Sequence, residues 1–444
     1  MNRSEFLKNG LLVTLGGILI PKSIISCRKN TLFEDSTYSG KVIIIGAGIA
    51  GLYAGYILKS KGIEFEILEA SNVYGGRIGK NENFADFPID SGAQWLHGKN
   101  NIISDLITSS GTKISLDDTE TYYWFQNKIV TNLPKNPDIF DNDNLPDISF
   151  KDYAIQQGLG EEYQYIIENL AGDQGASASK LSAYWNHQEE INWISGDDDY
   201  KFEQTFFDFL DTQIAQTIND KISLNTIVKS IDYTSDTLIV TDSNNKTYSG
   251  NKIIITVPIS ILKKNKIEFT PSLPAEKTDA FSKIEMGAGM KVFLKFSSQF
   301  YDDNISGGKI CAAYANEKIG KKGNDNVLLA FIMGEQAEYL TSLGSDAAIT
   351  SKLIEELDTM YNNEASKSFM SSYVNNFTNK PFIEGAYSYS TINMGNAREK
   401  AAESIDNKLF FAGEAMNLNG HHQTVFGAAE TGYREVINIL KTNK

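Results

Sequence analysis

The chain of 444 residues is long enough for two or three domains and a large buried core. With 41% hydrophobic and 22% charged residues it is ordinary for a globular protein, which excludes a disordered chain, a collagen-like fibre and a multi-span membrane protein. Its 41 Lys and Arg face 56 Asp and Glu, a net charge of -15, so nucleic acid is a poor partner. Two cysteines and four histidines show no zinc-ligand spacing, which leaves redox chemistry to an organic cofactor.

Residues 1–27 read as an export signal. Arg3 and Lys8 make a basic start, and the apolar run Leu11 to Ile20, about ten residues, is too short to span a bilayer. Ile24-Ile25-Ser26-Cys27 resembles a bacterial lipobox, which implies a lipid anchor at Cys27. Arg3-Ser4-Glu5-Phe6-Leu7-Lys8 resembles a degenerate twin-arginine signal, with Ser4 in place of the second arginine. An ordinary cleaved signal and an anchor helix stay open. The expectation is an exported bacterial protein, membrane-anchored or periplasmic, with residues 28–39 as a polar tether.

Val42-Ile43-Ile44-Ile45 is a continuous β-branched run, as a parallel strand buried on both faces requires. Gly46-Ala47-Gly48-Ile49-Ala50-Gly51 follows at once, and Leu52 to Lys61 has helical apolar spacing. A second strand, Phe65 to Leu68, leads into Glu69 and Ala70, with Glu69 18 residues after Gly51. Each part has a task in holding a dinucleotide. Gly46 permits a tight turn, Gly48 lets the backbone approach a pyrophosphate, and Gly51 lets helix and strand pack closely. The helix start at Ile49 and Ala50 offers free N–H groups to phosphate, and Glu69 would accept hydrogen bonds from an adenosine ribose. This fingerprint alone does not separate NAD from FAD.

Gly75-Gly76-Arg77 and Asp90-Ser91-Gly92-Ala93-Gln94-Trp95-Leu96-His97-Gly98 make that choice. With these motifs the chain resembles the flavin amine oxidases, and within them the polyamine oxidases. The resemblance implies that Gly76 and Arg77 face the FAD pyrophosphate. It also implies that the backbone of Gly92, Ala93, Gln94 and Trp95 passes the isoalloxazine ring. Arg77 suits its role because a planar fork can bond two phosphate oxygens. Ser71, Asn72 and Val73 are uncharged where many relatives carry another base, so the diphosphate would be neutralised with less help.

The resemblance extends over residues 40–444 and implies an α/β fold. A doubly wound, Rossmann-like FAD-binding domain would be built from discontinuous segments, 40–98, 206–262 and 404–444. An α+β substrate domain would take 99–205 and 263–403, with the active site between the two. Strands read from Ile222 to Asn225, Val228 to Tyr233, Thr237 to Thr241 and Lys252 to Val257, with Val228 matching the family's adenine contact. Met290 to Phe296 alternates as a strand does, so Lys291, Phe293 and Lys295 share a face. Lys291 matches the family lysine that holds a water against flavin N5, whereas Lys295 reads as a solvated strand residue. Near the end, Gly413 and Glu414 resemble the last FAD strand, with Glu414 on the ribityl or ribose. Thr424 and Val425 open a final helix, and the Val425 N–H would point at the pyrimidine carbonyl.

Ala386 stands where monoamine oxidases carry the cysteine that attaches their FAD, so a non-covalent FAD is expected. Tyr387 matches one tyrosine of their substrate cage and Thr424 takes the place of the other. That pattern resembles polyamine oxidases of the spermine type and histone-demethylase flavoproteins. His97 resembles the pocket-mouth histidine of the former, and a plain loop histidine is the alternative. Trp95, Tyr387 and Phe426 are the candidates for an aromatic slot. His421 and His422 read as loop residues rather than catalysts, and the acidic runs Asp138 to Asp147 and Asp197 to Asp199 as solvated loops, with recognition of distal ammonium groups as the alternative.

The reaction so implied is oxidation of a C–N bond in a polyamine or similar alkylamine. Hydride passes to flavin N5, water hydrolyses the imine, and molecular oxygen reoxidises the flavin to give hydrogen peroxide. Presenting a lysine-like amine in neutral form at pH 7 costs roughly 4.6 kcal/mol, so turnover is expected to rise with pH. An L-amino-acid oxidase, which needs a pocket arginine, an isoprenoid desaturase and a non-catalytic, membrane-tethered flavoprotein are the alternatives.

Overall fold

The computed structural model describes residues 38–140, 142 and 144–441; the expected export signal, Cys27 and most of the expected tether lie outside the described residues. No helix among the described residues is long and apolar enough to cross a membrane.

Val42–Ile45 is the central strand of a five-stranded parallel sheet. The order is Ile222–Ser223, Phe65–Leu68, Val42–Ile45, Lys252–Ile255, Leu409–Phe411. All four residues of the central strand are buried because both faces of the sheet are covered. On one face Ile44, Ile67, Ile254 and Phe410 pack with the helices Ile49–Ser60 and Val425–Lys441. The two helices approach so closely that a Cβ at Gly432 would lie 2.2 Å from the Ala50 carbonyl oxygen. On the other face Ile43, Ile45, Ile253, Ile255, Leu409 and Phe411 pack against residues of a second sheet, ordered Thr247–Gly250, Leu238–Asp242, Val228–Asp232, Glu268–Thr270. Strands from three distant stretches of chain thus meet in one doubly wound α/β layer.

A seven-stranded mixed sheet forms the other half. Its order is Phe369–Asn376, Gly289–Phe296, Asn326–Met333, Ala313–Asn316, Asn304–Ser306, Thr121–Phe125, Lys128–Val130. The alternation read from Met290 to Phe296 is present. Met290, Val292, Leu294 and Phe296 enter one core, and Phe293 enters another with Phe87, Ile89, Val327 and Leu329. Lys291 lies on the Phe293 side and is buried, while Lys295 is partly exposed and pairs with Asp325 at 2.5 Å. A small three-stranded sheet joins Trp95–His97, Asp199–Phe202 and Ile114–Leu116.

Three strand readings need correction. The Lys252 strand stops at Ile255, not Val257. The first of the middle strands stops at Ser223, because Asn225 turns to a φ of +54°. Thr247–Gly250 is a strand the pattern did not show, since only Tyr248 and Gly250 of its four residues are buried. In the Glu203-Gln204-Thr205 stretch, the Thr205 hydroxyl accepts from Asp208 N at 3.0 Å and starts the helix Phe206–Gln213.

Candidate active site

One cavity of about 1050 Å³ runs between the two halves. Every site residue named from the sequence lines it except Phe426 and Gly51, the latter lying behind the wall. At Gly51 a Cβ would come within 2.0 Å of the Gly46 carbonyl oxygen, so the close helix–strand contact needs glycine there. Gly46, at φ +105°, makes the turn, and a Cβ on it would meet Thr256 Oγ1 at 2.7 Å. Gly48 is different: nothing lies within 4 Å of where its Cβ would be. It caps the Ile49–Ser60 helix without a side-chain hydrogen bond, and the first turn holds no acidic residue. The helix therefore presents uncapped N–H groups and its positive end to the cavity, which is the condition a diphosphate requires. Glu69 closes the neighbouring strand, with Oε2 accepting from Ala47 N at 2.6 Å and Oε1 from Ser71 N at 2.9 Å. Ala70 and Val228 continue this wall.

Arg77 and Glu414, read separately from opposite ends of the chain, form an ion pair across the cavity wall, with Nη1 2.9 Å from Glu414 Oε1. Arg77 Nη1 also donates to the Ala386 carbonyl at 2.8 Å. Glu414 accepts further bonds from Ser388 Oγ and the Gln423 N–H. Burial pushes the Glu414 carboxyl up, but the Arg77 and Arg398 guanidiniums outweigh it and hold it below the usual carboxylate range. Behind this pair, Arg398 Nε reaches Glu189 at 2.5 Å, and Glu189 also faces His422 Nε2 at 2.8 Å. His421 pairs with Glu430 at 2.9 Å. Both histidines sit in a loop, yet each is buried against a carboxylate, which their sequence context did not show.

Lys291 reaches the cavity from the middle of its strand. Its ammonium donates to the carbonyls of Asp90 at 2.9 Å and Gly92 at 2.8 Å, and to Gln94 Oε1. Burial pulls its pKa down to about 8, against the Glu317 and Asp90 carboxylates, which hold it up. The Asp90 carboxyl is itself pushed up to about 6 by burial, although Lys321 lies 3.1 Å away.

Around the substrate end, aspartates stand behind the residues expected there. Trp95 Nε1 donates to Asp117 Oδ2 at 2.8 Å, and its ring meets Phe331 edge-on at 6.2 Å. His97 Nδ1 and Asp199 Oδ1 are 2.6 Å apart. The Tyr387 hydroxyl donates to the backbone carbonyls of Gly172 and Asp173 at 3.0 and 3.3 Å. Asp117, Asp173 and Asp199 all line the cavity. The expectation of a solvated loop thus fails at Asp199, which is only 6% exposed because the Trp95–His97 strand pairs with it. Phe426 also needs correcting: it is buried against Trp193 and His421 and does not line the cavity. The Thr424 hydroxyl is committed to the final helix, accepting from Gly427 N at 2.9 Å and donating to the His421 carbonyl at 2.7 Å. Val425 follows it at the helix start, and Gly413 is fixed by donating to Thr431 Oγ1 at 2.8 Å.

Known proteins resemble this chain in sequence and in fold. A human protein named lysine-specific histone demethylase 2 is 27% identical over 467 residues, covering 95% of this chain and 56% of that protein. A mouse protein, lysine-specific histone demethylase 1B, is 26% identical over 485 residues, so the chain spans about half the length of these relatives. An Arabidopsis thaliana protein named probable polyamine oxidase 4 is 27% identical over 444 residues, covering 90% of this chain and 86% of that one. Among solved structures, a putrescine oxidase bound to putrescine superposes with a TM-score of 0.78 at 18% identity, over 91% of this chain and 99% of its own. The cyclohexylamine oxidase of Brevibacterium oxydans gives 0.76 at 18%, over 91% and 100%, and both likenesses speak for the fold. The model described as flavin containing amine oxidoreductase matches residues 49–182 and 157–440, and the chain belongs to that family of FAD-dependent enzymes.

Proposed function

We propose that the chain oxidises an alkylamine that carries a second cationic nitrogen, as a polyamine does. The observation that carries this reading is the acidic wall of the substrate end: Asp117, Asp173 and Asp199 line it, and the one arginine among the described residues that lines the cavity, Arg77, is already paired with Glu414. A carboxylate substrate would meet repulsion there and find no free guanidinium, which counts against an amino-acid oxidase.

FAD, when bound, would supply the hydride acceptor for oxidation at the carbon that bears the nitrogen, with oxygen as the final electron acceptor. The residues described above fit its parts. The uncapped helix start at Ile49 and Ala50 would hold the diphosphate, Glu69 the ribose and Val228 the adenine. The 92–95 backbone would lie along the ring, with Lys291 at its reactive edge and the Val425 N–H at the pyrimidine. Ala386 offers no sulfur for a covalent link, so the cofactor would exchange. The chain's own work is to position and discharge the amine. Lys201 and Lys291 place their ammoniums 5.7 Å from the Trp95 ring, which disfavours a third cation beside that ring and favours a neutral amine. The distal nitrogen stays charged against the aspartates.

Anaerobic mixing of the FAD-loaded protein with spermine, an aryl amine, an L-amino acid and a methylated-lysine peptide tests this. Spermine is expected to bleach the flavin band. Bleaching by the amino acid or the aryl amine alone would overturn the reading. Bleaching by the peptide alone would move the substrate class towards that of the demethylase-named relatives.

A further inference from the structure

Behind Lys291 lies a set of buried charges that hydride transfer and substrate binding do not call for. Asp90, Glu317, Lys201 and Lys321 are the charged groups facing Lys291. They come from the 90–94 loop, the residue after the Ala313–Asn316 strand, the Asp199–Phe202 strand and the turn that follows Glu317. Glu317 is 0% exposed and Lys201 2%. With every group ionised, three lysines face two carboxylates. Such a cluster is expensive to bury and rarely kept for stability alone.

Its connections are directional. Gln94 Nε2 donates to Glu317 Oε2 at 3.2 Å, and this bond turns the amide so that Gln94 Oε1 faces the Lys291 ammonium. The same Glu317 oxygen lies 3.5 Å from Lys201 Nζ, which also donates to the Asn316 carbonyl at 3.4 Å. The other oxygen, Glu317 Oε1, is buried without a hydrogen-bond partner. A carboxylate in that state costs free energy, so something besides its own hydrogen bonds keeps it. Without Glu317 the Gln94 amide could turn over and aim its NH₂ at Lys291, replacing an acceptor with a donor.

We propose that Glu317 is a positioning residue for Lys291, locking the Gln94 amide and supplying the carboxylate charge that keeps the Lys291 ammonium seated on the 90–94 loop at the flavin edge. Lys201, whose Nζ lies 3.5 Å from Glu317 Oε2, opposes it as a like charge facing Lys291. The proposal concerns the flavin edge and holds whichever amine is oxidised.

The test is ε-¹⁵N-lysine NMR on the FAD-loaded full chain, with the Lys291 signal assigned by its loss in Lys291→Met. Glu317→Gln removes one negative charge facing Lys291 and should move the Lys291 midpoint about one pH unit down. Lys201→Met removes a like charge and should move it up by a similar amount. A change that merely loosened the packing would push both variants the same way. The pH profile of flavin reoxidation by oxygen should follow the NMR midpoint in each protein. Should Glu317→Gln fail to fold, the double variant Lys201→Met/Glu317→Gln, which removes a charge pair together, is compared with Lys201→Met alone and should again titrate about one pH unit lower. Equal midpoints in proteins that differ only at position 317, or shifts of one sign in both single variants, overturn the proposal.

Discussion

The two ends of the cavity are built by opposite means. At the dinucleotide end the work is done by backbone: a glycine turn, an uncapped helix start and one strand-end carboxylate, within residues 46–69. At the substrate end it is done by side chains gathered from separate segments, with Asp117 behind Trp95, Asp199 behind His97 and the Gly172 and Asp173 carbonyls behind Tyr387. Backbone sites tolerate few substitutions because no rotamer can relieve a clash. Side-chain sites accept change in steps, so that specificity can drift while the cofactor end stays the same.

The contrast can be broken most severely at the glycines. Gly51→Val puts a side chain against the Gly46 carbonyl and should leave no FAD-binding protein, read as a colourless or insoluble product. Gly48→Ala meets no protein atom, so the chain should fold and lose roughly tenfold in FAD affinity by crowding the phosphate. Equal damage from both would erase the distinction between packing and ligand approach.

Lys291→Met comes next. It should keep FAD bound, since the Lys291 ammonium is hydrogen-bonded to residues 90–94, yet slow flavin reduction or reoxidation by about a hundredfold in stopped flow. Asp117→Asn should raise KM for a diamine or polyamine by about tenfold and leave that of a monoamine nearly unchanged. A uniform rise for both would mean that Asp117 serves only to orient Trp95.

The smallest effect is in acid. Burial pushes the Glu189 carboxyl up, but Arg398 and His422 more than offset that and hold it at about 2, below its ordinary 4.5. A carboxylate with a depressed folded pKa adds stability that is whole above pH 4.5 and is lost as pH falls towards 2. Glu189→Gln should therefore flatten the fall of Tm across that window, and a curve parallel to that of the parent would contradict this.

The same asymmetry explains what could be read from the sequence. The Val42–Ile45 strand, the glycine turn and Glu69 were legible because they lie together and each has a distinct residue signature. The alternation around Lys291 gave its face correctly because a strand with period two buries or exposes alternate residues. Arg77 and Glu414 were both legible as cofactor residues, but their pairing was not, being 337 positions apart. Asp199 looked like part of an acidic surface run, since nothing local reveals that its strand pairs with Trp95–His97. Lys201, Glu317, Glu189 and Arg398 carried no signal at all: an isolated charged residue has the same appearance whether it ends in solvent or in a core.

The edge strand Leu409–Phe411 and the helix Val425–Lys441 close the nucleotide layer, and that stretch brings Gly413, Glu414, Thr424 and Val425 to the cavity. During synthesis the ribosome delivers this wall after every other part of the layer. A growing chain therefore has no complete berth for its coenzyme until residues 413–428 have been made, so loading with FAD follows synthesis of the whole nucleotide layer.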